Sequence, residues 1–247
     1  KQGEVYNEWI KPNIKPNQTL LFGSGFAIHY GLISPPADTN VILVAPKGPG
    51  VLVRSAFEQG GGVHNLVGVH QNFSGNALDV ALAYSKAIGG TRVGAIQTTF
   101  KDEIETDLFG EQAVLCGGVS ELVKAGFDTL VSAGYPPELA YFECLHELKQ
   151  CVDLFYEGGF EHMWKSISPT AEYGAMSRGK QIISPTTRAT MKNMLQEIQN
   201  GSFTKEWMSI ANNGAEELKE FEENDLRHPI EIIGKKLRSM MNDRTKK

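Results

Sequence analysis

Short apolar runs alternate with helical periods over the first hundred residues, and then the rhythm changes. Residues 20–24 (LLFGS) read as a strand, and residues 41–46 (VILVAP) as a β-branched run ended by Pro46. Residues 51–60 (VLVRSAFEQG) have helical spacing and close on glycines 60–62, while 65–71 (NLVGVHQ) read as a third strand. Residues 75–90 (GNALDVALAYSKAIGG) place apolar side chains three and four apart, as a helix does, until Gly89-Gly90 stop it. Residues 92–100 (RVGAIQTTF) read as a fourth strand. Strand and helix in alternation predict an α/β region built on a parallel sheet.

After Phe100 the strand signal ends. Helical periods cover roughly 101–116, 119–133, 137–157, 159–166, 186–199, 203–211, 214–224 and 229–241. Glycine and proline punctuate them at Gly117-Gly118, Gly134, Pro136-Pro137, Gly158-Gly159, Pro169, Gly201 and Pro229. The chain is therefore expected to be α/β over residues 1–98 and all-α over 99–247, with no internal repeat.

Composition narrows the classes. At 247 residues, 41% hydrophobic and 21% charged, the chain has the make-up of a globular protein with a real core. A net charge of −5 disfavours nucleic acid as the main partner. The short basic tail, Arg244 to Lys247, reads as a solvated end. No apolar run approaches the length of a membrane span, and the opening KQGEVYNEWIKPN has no signal-peptide core, so no membrane partner is expected. Three widely spaced cysteines, Cys116, Cys144 and Cys151, suggest a reducing interior rather than a disulfide framework. The corresponding expectation is a cytoplasmic location, or a plastid or mitochondrial one if the source is eukaryotic.

The chemistry-bearing residues come in a few stretches. DLFGEQAVLCGG (107–118) opens with two acids four apart, Asp107 and Glu111, and runs straight into small and apolar residues that look built for a core. YFECLHELKQCVDLFYEGG (141–159) repeats the spacing with Glu143 and Glu147. On a helix this puts both carboxylates of a pair on one face, where they repel unless something positive intervenes. Two such pairs suit one or two hard divalent cations such as Mg²⁺, while a solvated face is the alternative. VAPKGPG (44–50) follows a strand, where α/β sheets place ligands; Lys47 there is a candidate electrostatic or acid–base group, and Gly48 and Gly50 permit close backbone approach. FGSGFAIHYG (22–31) is not a dinucleotide fingerprint, because Ile28 stands where the third glycine belongs, and His29 reads as a packed core histidine. In SISPTAEYG (166–174) the hydroxyls and Glu172 are read first as caps of the helix that follows.

Taken together and in order, GFAIHYG, VAPKGPG, VHQNFSGNALDVALAYSKAIGGTR, TTFKDEIETDLFGEQAVLCGG, FECLHELKQCVDLFYEGG, TAEYGAMSRG and HPIEIIGKKLRSMM resemble ketol-acid reductoisomerase, in a short form with one helical domain. The resemblance implies a fold of α/β followed by all-α: a partial Rossmann-like parallel sheet and a helical C-terminal domain that is knotted in the family. It implies Mg²⁺-dependent alkyl migration in a small 2-hydroxy-3-oxo acid such as 2-acetolactate, followed by NADPH reduction to the 2,3-dihydroxy acid, a step of valine, leucine and isoleucine synthesis. It further implies that Asp107 bridges two Mg²⁺ ions and that Glu111 holds one. Glu143 and Glu147 would come from the partner of a homodimer or higher homo-oligomer. Lys47, Glu147 and Ser24 would serve catalysis, Gly50 would lie against the cofactor, and Ser168 would bond the substrate carboxylate.

This sequence departs from the family pattern in places. It opens at a point resembling the middle of the family's nucleotide domain, without the GxGxxG segment, so the nucleotide half is expected to be incomplete and this stretch alone to carry negligible NADPH-dependent activity. Ser24 stands where the family has histidine, and Pro169 where it commonly has asparagine. A non-catalytic helical assembly fragment or pseudoenzyme of the same family is the competing reading. Retention of all four acids opposes it.

Overall fold

The computed structural model describes residues 2–242; the basic tail lies outside the described residues. The chain forms two compact units, one up to Leu108 and one from Phe109 onward.

The first unit opens with helix α1 (Gln2–Val5), which runs into a π turn at Tyr6–Ile10, and then strand β1 (Thr19–Phe22). A short helix α2 (Phe26–His29), strand β2 (Asn40–Pro46), helix α3 (Gly50–Glu58), strand β3 (Asn65–Gln71) and helix α4 (Ala77–Ala87) follow. Strand β4 (Ala95–Gln97) and helix α5 (Phe100–Gly110) complete the unit and lead out of it. The four strands lie in the order β1-β2-β3-β4. β2 is buried on both faces, which is why its sequence is an unbroken apolar run rather than an alternating one. Val41, Leu43 and Ala45 face Ala27, Ile28 and Phe100, while Ile42 and Val44 face Val67, Ala77 and Ala81.

All four expected strands and both expected helices of this half are present, but the sheet is mixed, not wholly parallel. β1 pairs parallel with β2 and β3 parallel with β4, whereas β2 and β3 run antiparallel. A parallel crossover requires the connecting helix to lay an apolar face on the sheet. α3 buries no residue, and Val51 and Leu52 are exposed, so the segment between β2 and β3 is an excursion away from the sheet and the chain returns as a hairpin.

The second unit is helical. A π turn (Glu111–Leu115) leads into α6 (Gly117–Ser132), α7 (Pro137–Tyr141), a second π turn (Phe142–His146) and α8 (Glu147–Ser166). Then come α9 (Pro169–Ile182), α10 (Pro185–Gln199), α11 (Ser202–Asn212), α12 (Glu216–Arg227) and α13 (Pro229–Asn242). Val123 and Phe127 of α6, Ala140 and Tyr141 of α7 and Ile230 of α13 form its core. The break expected at Gly158-Gly159 is present as two non-helical residues inside α8. Gly117-Gly118 do not stop a helix; they begin α6. A Cβ on either would overlap the carbonyl oxygen of Gln112 or Ala113, so the bare backbone lets the π turn close against the new helix. α9 falls where the helical periods leave 167–185 empty, with only the caps at 166–174 pointing to it, because Gly174 and Gly179 dilute its helical signal.

Candidate active site

β1 and β2 are parallel neighbours, so the turns that follow them open on one edge of the sheet. Gly23-Ser24-Gly25 lead from β1 into α2, and Lys47 directly follows β2. Gly25 must be glycine: a Cβ there would overlap the carbonyl oxygen of Phe100. Phe100 begins α5 and plants it on the sheet, its ring centroid 6.1 Å from that of Phe22 and 5.6 Å from that of His70. Thr99 caps the helix, its hydroxyl accepting from the Asp102 amide at 2.9 Å.

Three side chains from these elements form one chain of contacts. The Gly25 amide donates to Glu103 Oε2 at 2.6 Å. The other oxygen of Glu103, Oε1, accepts from Lys47 Nζ at 3.3 Å, and the same ammonium donates to Asp107 Oδ1 at 2.8 Å. Glu103 and Asp107 lie one helical turn apart, so one cation answers both. Glu103 is only 1% exposed. Burial pushes its carboxyl above the ordinary glutamate range, and the Gly25 amide and the Lys47 charge reduce that shift without cancelling it. Burial pulls the Lys47 ammonium down, but Asp107 and Glu103 outweigh it and the net shift is upward.

Lys47 and Asp107, sixty residues apart in sequence, are thus brought together. Glu103 was not singled out from sequence. The available signal was its place four residues before Asp107 on the same helical face. Ser24 borders the cluster, with its hydroxyl accepting from the Phe26 amide at 3.3 Å. Gly50 opens α3 in open space, where even a Cβ would meet nothing within 4 Å.

In the helical unit, Glu111 starts the first π turn and Glu143 lies in the second, directly before Glu147 opens α8. Both acid pairs therefore sit where a helix changes pitch, as residues at functional sites often do. The expected burial does not hold within one chain. Glu111, Val114, Leu115 and Cys116 are exposed, and of 113–116 only Ala113 is buried. Glu143 and Glu147 are exposed because Phe142, Leu145 and Leu148, spaced by threes, turn the opposite face to the core. Cys144 sits between these faces, its thiol pushed up by burial and by the neighbouring Glu143 charge. Ser168 is the N-cap of α9, accepting from the Ala171 amide at 3.2 Å, with Pro169 at the first helical position.

Sequence comparison settles the family. The ketol-acid reductoisomerase C-terminal domain matches residues 100–243, and the acetohydroxy acid isomeroreductase NADPH-binding domain matches residues 1–94. The chain belongs to the ketol-acid reductoisomerase family. It is 56% identical over 241 residues to the ketol-acid reductoisomerase (NADP(+)) of Chloroherpeton thalassium, covering 98% of this chain and 71% of that protein. The structure of an NADH-preferring ketol-acid reductoisomerase from an uncultured archean superposes with a TM-score of 0.94 at 47% identity, over 96% of this chain and 72% of that one. A semialdehyde dehydrogenase NAD-binding protein from Cupriavidus necator matches at 16% identity and a TM-score of 0.55, over 80% of this chain and 73% of that one; it shares the fold alone. The Lys47–Glu103–Asp107 cluster lies on VAPKGPG and TTFKDEIETDLFGEQAVLCGG, two of the segments that carry the resemblance.

The donor chemistry fits Mg²⁺. Asp107 and Glu111 offer hard carboxylate oxygens, and Mg²⁺ is commonly held by one or two carboxylates with water and substrate oxygens completing the shell. Among the described residues of one chain, no three His, Cys, Asp or Glu side chains cluster as a ready-made cage. No helix among the described residues is long and apolar enough to cross a membrane.

Proposed function

We propose that the protein catalyses the Mg²⁺-dependent conversion of 2-acetolactate, or 2-aceto-2-hydroxybutyrate, to the corresponding 2,3-dihydroxy acid with NADPH, in branched-chain amino-acid synthesis. The single observation carrying this reading is the Lys47 ammonium held between Glu103 and Asp107 at the edge of the sheet. In 2-acetolactate the C2 hydroxyl loses its proton and the methyl group moves from C2 to C3. The C3 carbonyl becomes a hydroxyl, and the new C2 ketone takes a hydride and a proton, so that NADPH leaves as NADP⁺. Asp107 and Glu111 would hold Mg²⁺, with Glu143 and Glu147 of a second copy completing the site, and the metal would supply polarisation of the substrate oxygens. NADPH supplies the hydride, with Gly50 leaving room for its approach.

The chain's own groups do the rest. Lys47 keeps a fixed positive charge beside the carboxylates, and Glu103 and Asp107 hold that charge in place. Ser168 already accepts a bond as helix cap, which leaves its O–H to donate to the substrate carboxylate. Ser24 supplies a hydroxyl where the family has an imidazole; it bonds but does not titrate near neutrality. The three free cysteines suit a reducing compartment, which we take to be the cytoplasm. Incubation of the intact protein with 2-acetolactate, NADPH and Mg²⁺ tests the reading. One 2,3-dihydroxy acid should form per NADPH consumed; NADPH loss without that product would reject it.

A further inference from the structure

Glu105 lies between Glu103 and Asp107 in sequence and takes no part in their cluster. It is 6% exposed, and His29 Nε2 lies 3.2 Å from its Oε1. On α5 the side chains of Glu103 and Glu105 point about 200° apart. The helix is therefore gripped from two sides: Gly25 holds Glu103, and His29 holds Glu105. The two grips are rigidly joined, because the His29 amide donates to the Gly25 carbonyl at 2.9 Å across the single turn of α2. Ala27 and Ile28, between them, are buried in the core against β2. The Tyr30 ring packs edge-on to the His29 imidazole at 4.7 Å.

We infer that His29 and Glu105 are positioning residues: their pair fixes the rotation of α5 about its own axis and with it the placement of Glu103 and Asp107. A carboxylate about 6 Å from a helix axis travels roughly 2 Å for a 20° turn of the helix. Displacements of that size are large against the tolerance of a catalytic site. One grip alone leaves such a turn open, whereas two on opposite sides close it. The inference rests on the reading that Asp107 holds the metal.

The test uses the intact protein with Glu105→Ala and His29→Ala, and with Glu105→Gln, which keeps an acceptor oxygen for His29. Hydrogen exchange of residues 23–29 and 100–108 is followed without metal, and Mg²⁺ affinity is measured by calorimetry. The alanine variants should exchange faster in both segments and bind Mg²⁺ about 10- to 100-fold more weakly, the usual loss when a residue supporting a metal ligand is removed. The glutamine variant should stay close to the parent in both. A folded alanine variant with unchanged exchange and unchanged Mg²⁺ affinity would overturn the inference. If Glu105→Ala does not fold, His29→Ala, at a partly exposed site, decides by the same two readings. A parent protein that binds no Mg²⁺ would remove the metal assignment of Asp107, and the exchange comparison would then decide the two-sided grip by itself.

Discussion

Lys47 shares one ammonium between two carboxylates of opposite character: Glu103 is buried, and the Asp107 side chain is about half in solvent. The buried one carries the pH dependence. Because burial raises its carboxyl, Glu103 binds its proton more tightly in the folded state than in the unfolded one. Its stabilising contribution is complete in acid and is lost as pH rises from about 4.3, the ordinary glutamate value, through the raised folded value. Urea unfolding of the metal-free protein between pH 4 and 7 should show that decline, and Glu103→Gln should flatten it. A decline of equal slope in the variant would mean that another group is responsible. Lys47 and Asp107 were singled out in sequence, since each stands in a segment that carries the resemblance. Glu103 was not, because an acid in the first turn of a helix is ordinarily a solvated partner of the helix dipole. Only the meeting of the Gly25 turn with α5 shows that it is buried.

Helix ends join stability to substrate binding. Ser168 serves α9 as its N-cap, and the same hydroxyl is proposed to meet the substrate carboxylate. Ser168→Asp separates the two roles. Aspartate caps as well as serine and suits the positive end of the helix, so the melting temperature should hold or rise. A second anion should repel the substrate, raising KM for 2-acetolactate by about tenfold, some 1.4 kcal/mol in substrate affinity. An unchanged KM would leave Ser168 as a cap alone. Element identity was largely legible because β2, α4, α6 and α10 to α13 follow clean periods, whereas α9, diluted by its glycines, does not. The antiparallel return of β3 was not: α3 has helical spacing, and only its failure to bury any side chain shows that it makes no crossover. The π turns at Glu111 and Glu143 were equally hidden, since one wide turn barely alters an apolar period of 3.6.

At the scale of the molecule, the helical unit leaves large apolar side chains in the open, including Leu115, Tyr156, Phe160 and Tyr173. Surfaces of that kind mark association, and the exposed Glu143 and Glu147 belong to the same unit. We expect a homodimer in which each site draws Asp107 and Glu111 from one subunit and Glu143 and Glu147 from the other. Co-expressed Asp107→Asn and Glu147→Gln chains, each inactive alone, should then recover about a quarter of parental turnover, because half the dimers of a two-fold assembly hold one intact site. No recovery in demonstrated heterodimers would mean that each site is built within one chain. If the Lys47-bound carboxylate on α5 serves a Mg²⁺-dependent reductoisomerase, turnover of the intact protein must depend on both the metal and Asp107. The most direct test is the rate of NADPH oxidation with 2-acetolactate as Mg²⁺ is varied, in the parent and in Asp107→Asn. Mg²⁺ dependence should be saturable in the parent, and the variant should lose at least about 10³-fold, some 4 kcal/mol of transition-state stabilisation. Parental turnover indifferent to Mg²⁺, or an Asp107→Asn protein that matches it, would show that Asp107 holds no catalytic Mg²⁺.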